Sequence, residues 1–153
     1  MDEIKRIDEQ LRRAFEGQAW HGPSLRELLA DVTAAQATAR PVSGAHSIWE
    51  IVRHIAAWHE GVRRRLEGER VELSAEEDWP PIASTPEVAW EDALAVLERT
   101  HTELQRTMSR LTDARLQEIV TGTDDSVEVM LHGLIQHDLY HAGQIALLKK
   151  ALS

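Results

Sequence analysis

The chain is predicted to fold as an all-α four-helix bundle with long crossover connections. Three observations carry that expectation. Apolar residues recur at helical spacing in four long stretches, no stretch alternates convincingly as a half-buried strand would, and capping residues stand at the ends of those stretches. At 153 residues, with 42% hydrophobic and 28% charged side chains, the sequence has the size and composition of one soluble domain spanning 1–153.

The first helix is expected over residues 2 to 16, where Ile4, Ile7, Leu11 and Phe15 fall on one face and Gly17 supplies a stop. The stretch from 18 to 46 holds a short helix at 24 to 30. At 47 to 50, "SIWE" has the form of a capping box: Ser47 caps the Glu50 amide while Glu50 reaches back. The second helix runs from there to about Glu67, and Gly68 ends it. Residues 69 to 85, "ERVELSAEEDWPPIAST", are acidic, contain Pro80 and Pro81 and show no period. A bundle of this size is ~30 Å long, and seventeen extended residues reach up to ~56 Å. Such a connection lets the second and third helices lie parallel, and long ordered connections are also candidate lids.

"TPEVAW" opens the third helix, with Thr85 as N-cap and Pro86 in the first helical position. Trp90, Leu94, Leu97, Leu104 and Met108 form its inner stripe. "LTDARL" near 111 suggests a single further turn. The fourth helix is expected from about Ser126 to Leu152, with Met130, Leu134, Ile145 and Leu148 facing inward. Four amphipathic helices in one small domain read as a bundle. No internal repeat or low-complexity tract is present.

Composition narrows the chemistry. With no cysteine there is no disulfide, thiolate metal site or protein thiol nucleophile, so a metal must be held by nitrogen and oxygen. A formal charge of −9 argues against a nucleic-acid partner. Arg63, Arg64 and Arg65 are read as a solvated face near a helix C-terminus, where positive charge suits the dipole. No window approaches the ~20 apolar residues of a membrane helix, and "MDEIKR" does not open a signal peptide; the expected location is cytoplasmic.

The histidines carry the functional signal. "HGLIQHDLYHAGQ" at 132 to 144 places His137 and His141 four apart, on one helical face and within roughly 60° of the direction set by Leu134 and Ile145. Two imidazoles so placed can meet one ion at ~2.0–2.1 Å. Core histidines bonded to backbone or water would have the same spacing. A metal site also needs a third ligand, and helical-wheel geometry leaves His54, His59 and His101 as candidates. His132 points away from the core, His46 suits loop packing, and His21 is uninformative. Asp138 and Gln144 flank the pair and could orient imidazoles, or be ordinary polar residues at the edge of the face. Of five tryptophans, Trp49, Trp58 and Trp90 could line a pocket or pack the core, while Trp20 and Trp79 could anchor connections.

"GAHSIWEIVRHIAAWHEGVRRRLEG" and "LHGLIQHDLYHAGQIALLKKAL" resemble the two signature helices of the DinB-like (DinB/YfiT) superfamily, and the resemblance covers nearly the whole chain. It implies an up-down-down-up bundle. It further implies one divalent metal bound by a histidine of the second helix and the HxxxH pair of the fourth, here His54, His137 and His141. His59 falls at a position that varies in such proteins, and His101 matches one that is often histidine without being a usual ligand.

Three neutral imidazoles leave a coordination position open, the pattern of a catalytic site. All-nitrogen ligation suits zinc or nickel first, with iron or copper admitted. By resemblance to thiol-dependent relatives, the expected activity is a metal-dependent transferase using a low-molecular-weight thiol such as bacillithiol or mycothiol on a small-molecule substrate. The alternatives are a metal-dependent hydrolase and a non-enzymatic, stress-related metal-binding or interaction protein. The resemblance also implies a homodimer. No basic cluster is evident for the carboxylates of a thiol cofactor.

Overall fold

The computed structural model describes residues 2–82 and 87–153. Seven α-helices are found among these residues: α1 (Glu3–Phe15), α2 (Leu25–Leu29), α3 (Ala34–Thr38), α4 (Ile48–Leu66), α5 (Ala75–Asp78), α6 (Glu87–Met108) and α7 (Val127–Leu152). A 3₁₀ turn, Asp113–Gln117, precedes α7. Among the described residues there is no strand, only one isolated antiparallel bridge between Ile119 and Ser126. The long helices α1, α4, α6 and α7 are the four expected, and the ends of α1, α4 and α7 fall within a residue of those expected. Helices α3 and α5, a turn or so each, were not foreseen. Thr85 and Pro86, the expected cap of α6, lie outside the described residues.

Caps set the helix starts. The Ser47 hydroxyl accepts from the Glu50 amide at 3.2 Å and the Glu50 carboxylate accepts from the Ser47 amide at 2.9 Å, the reciprocal box expected for α4. Ser24 and Thr33 build the same box on α2 and α3. Helix α1 is capped from a distance: its own Asp2 makes no capping bond, and the Asp113 carboxylate accepts from the amides of Glu3 and Ile4 at 2.8 and 3.0 Å.

Inter-helix pairs give the directions. Trp49 meets Trp90 near the starts of α4 and α6, and His59 meets His101 further along both, so these helices are parallel. His54 faces His141 while His59 bonds Asp138, so α7 runs against α4. Phe15 stacks on His101 while the first amides of α1 reach Asp113, past the end of α6, so α1 opposes α6. The order is up-down-down-up. The connection from α4 to α6 returns along α4: Arg65 donates to the Val71 carbonyl, Trp58 to the Asp78 carboxylate, and Arg53 to the Pro81 carbonyl.

The interior consists of two apolar blocks. One gathers Phe15, Ile48, Trp49, Ile55, Trp90, Leu97, Ile145 and Leu148. The other gathers Ile4, Ile7, Leu11, Val62, Leu66, Leu104, Met108, Leu131 and Leu134. Burying each large aliphatic side chain stabilises the fold by about 1.5–3 kcal/mol. Between the blocks lies a polar layer, contributed by α4, α6 and α7, in which His54, His59, Thr100, His101, Asp138 and His141 are all buried. No described helix is long and apolar enough to cross a membrane.

Candidate metal centre

Helix α4 brings His54 into this layer, and α7 brings His137 and His141 from successive turns. One nitrogen from each ring lies within 4.8 Å of the others. His54 Nε2 and His137 Nε2 are 3.0 Å apart. The ring of His141 stands edge-on to both neighbours, 4.7 Å from His54 and 4.5 Å from His137 between centroids. An ion ~2.0–2.1 Å from each nitrogen requires separations of roughly 3 Å. This is the spacing the cluster already approaches, so the residues fit a single divalent ion.

Two of the rings are oriented from behind. His54 Nδ1 donates to the Asp78 carbonyl at 2.7 Å, with an Asp78 carboxylate oxygen at 3.0 Å. His141 Nδ1 donates to the Gln144 side-chain oxygen at 2.7 Å. With the proton fixed on Nδ1, each Nε2 turns a lone pair toward the cluster, the arrangement a metal-ligating histidine needs. The buried Nδ1 of His137 has no partner among the described residues.

Burial keeps the rings neutral. The His54 pKa is lowered mainly by desolvation, against the opposing pull of Asp78. His137 is pushed down to about 4, by desolvation first and then by its two imidazole neighbours. His141 is lowered mainly by desolvation, with Gln144 opposing. Neutral imidazole is the form that binds a metal.

Aromatic rings enclose the cluster. Trp79, from the returning connection, stacks on His54 at 3.8 Å and 2° between ring planes, and His46 stacks on its other face at 3.6 Å. The Trp58 ring lies 5.9 Å from His137. Trp79 thus anchors its connection, as expected, upon a candidate ligand. Trp20 anchors nothing and is fully exposed. Trp49 lines a separate groove of about 620 Å³ between α4 and α6 that does not include the histidine cluster. Trp90 is a core residue, donating to the Val32 carbonyl at 2.9 Å.

The other candidate ligands are occupied elsewhere. His59 turns away from the cluster, and its Nε2 lies 2.8 and 2.9 Å from the two oxygens of Asp138 on α7. Asp138 is therefore a buried partner of α4 rather than a residue at the edge of the face. His101 stacks on Phe15 at 3.8 Å and bonds Glu16 at 3.1 Å; it is a core residue. His132 is exposed, and with Glu3 and Glu128 forms a surface grouping in which Gln117 bonds Glu128 and Arg6 bonds Glu3. The carbonyl of Asp78 was not foreseen, because a backbone group leaves no mark on a sequence.

Comparison with known families gives one match: a sequence model described as the DinB superfamily covers residues 18–145, a span that includes all three histidines of the cluster. Neither the comparison with curated proteins nor that with solved structures gave a match.

Proposed function

We propose that this chain, which belongs to the DinB superfamily, holds one divalent metal ion on His54, His137 and His141 and serves as a transferase for a low-molecular-weight thiol of the bacillithiol or mycothiol kind. The observation that carries the reading is the convergence of three neutral imidazoles, with no carboxylate among them, within 4.8 Å. A divalent ion held this way, with zinc or nickel preferred over iron or copper, would keep its charge and an open position at which a thiol loses its proton more readily.

The chain's own residues prepare that position. Asp78 and Gln144 hold the protons of two rings on Nδ1. Trp79 and Trp58 cover flanks of the cluster, and the burial of His54 and His141 strengthens the electrostatic interactions there. The nucleophilic sulfur would come from the thiol, since the chain has none of its own in cysteine.

Elemental analysis of untagged protein tests the metal: near-stoichiometric zinc or nickel is expected, with loss in His54→Ala and His137→Ala. Full retention in both variants would overturn the ligand set. Consumption of an electrophile that requires bacillithiol or mycothiol, and stops on chelation, is the expected activity. Thiol-independent hydrolysis that stops on chelation would replace it with a hydrolase. We further propose a cytoplasmic homodimer formed by helix packing. Its support is the exposed face of α7, where Tyr140 and Leu147 flank Gly143, whose α-carbon faces open space. Light scattering at micromolar concentration should give a dimer, and a monomer in Leu147→Glu; a monomeric parent chain would refute it.

A further inference from the structure

One cavity beside the histidines plays no part in orienting them. It has a volume of about 270 Å³ and lies in the groove between α4 and α7. Because these helices are antiparallel, its ends are fixed by residue position: Trp58 and His137 stand at one end, Arg65 and Met130 at the other. Arg65 starts two helical turns beyond Trp58 but reaches back to within 5.5 Å of its ring, which is 5.9 Å from that of His137, so at most about 11 Å separates guanidinium from imidazole. Val62 and Leu134 form an apolar floor. Gly133 stands in the wall, and a side chain there would meet no atom within 4 Å. A missing side chain opens this space.

Arg65 is the distinctive residue. Its neighbours in the arginine run are engaged on the surface: Arg63 pairs with Glu60 and Glu67, and Arg64 with Glu69. Among the described residues no carboxylate pairs with Arg65. Its Nε and Nη2 donate to the Val71 carbonyl at 3.2 and 2.8 Å, and its guanidinium carbon lies 5.5 Å from the Trp58 ring centroid. The guanidinium is thus held in place with its Nη1 hydrogens free of any partner among the described residues, prepared for an incoming anion at small further entropic cost. The one acid in the lining, Asp125, is exposed on the loop before α7 and disfavours a carboxylate on its own side.

We propose that this cavity selects the ligand that reaches the metal centre: an amphipathic carboxylate with a metal-seeking head at His137, an apolar segment of several methylenes over Val62 and Leu134, and its carboxylate on Arg65. The proposal rests on the metal reading above and names the substrate class for that site. Apolar walls with one oriented polar group are the usual composition of a small-molecule site.

Cobalt-substituted protein tests the inference, with sulfur-to-cobalt charge-transfer absorption as the readout. Mercaptohexanoate is expected to bind about tenfold tighter than the neutral mercaptohexanol, as a charge-assisted pair in a partly desolvated site provides. In Arg65→Gln the two should bind alike, at the affinity of the alcohol. Gly133→Leu should weaken both without changing the cobalt content, which also certifies that each variant is folded. Mercaptoacetate, too short to span the cavity, should be indifferent to residue 65. Cobalt uptake with equal affinities for acid and alcohol, or a preference that survives Arg65→Gln, overturns this proposal and leaves the metal reading standing. Failure to take up cobalt overturns both.

Discussion

His54 and His59 stand five positions apart on α4, and the helix turns them to opposite fates. His54 joins the cluster; His59 is buried against Asp138, and its Nδ1 has no partner among the described residues. Both side chains of that pair are fully shielded from water. Removing one member strands the other in a dry interior, so Asp138→Ala should cost roughly 2–5 kcal/mol in urea denaturation of the metal-free protein. Replacing both by leucine should cost much less than the single change, because no polar group is then left without a partner. His101 gives a pH signature. Burial, and then repulsion from His59, push its pKa down to about 4, whereas an unfolded histidine titrates near ~6.5. Between those values the unfolded chain binds more protons than the folded one. Stability of the metal-free protein should therefore be full above about pH 6.5 and decline as the pH falls toward 4. In His101→Gln the decline between pH 7 and pH 5 should be shallower by about 1–3 kcal/mol. An unchanged slope would assign the acid sensitivity to other imidazoles.

At the scale of the helix, the start of α4 determines where His54 stands. Ser47→Ala removes one half of the capping box and should lower stability by ~1 kcal/mol, measured by urea unfolding, with a smaller loss for Ser47→Gly. That box was legible in four consecutive residues, and the inner stripes of α1, α6 and α7 were legible too, because the one signal is local and the other periodic. The parallel course of α4 and α6 was legible from the length of the segment between them. The candidate ligand set was legible in part. Spacing identified the pair on α7 but left His54, His59 and His101 equivalent, and only the resemblance of two whole helices chose among them. What escaped notice is made by short or distant contacts. Helix α5 has only four residues, too few to show a period, yet it delivers Asp78 and Trp79 to His54. The capping of α1 by Asp113 joins residues 109 and 110 positions apart.

For the whole molecule, an ion held by His54, His137 and His141 would tie α4 to α7 across the middle of the bundle. A ligand that binds only the folded state at a hundred times its dissociation constant adds ~2.7 kcal/mol, and each kcal/mol raises Tm by ~2–4 °C for a chain of this size. Zinc or nickel added to chelator-treated protein should thus raise Tm by roughly 5–11 °C, and His54→Ala should show little of that gain. The division of the core into two apolar blocks has a further consequence for the fidelity of folding. Leucine tolerates being slid past leucine, so a uniformly greasy bundle offers several near-degenerate alignments. Here a slip of α7 by one turn, ~5.4 Å, would thrust Asp138 among hydrocarbon and strip His59 of its acceptor. Misaligned threadings are thereby penalised without any ion, and His54 stands opposite His137 and His141 because a wrong alignment is the costlier one.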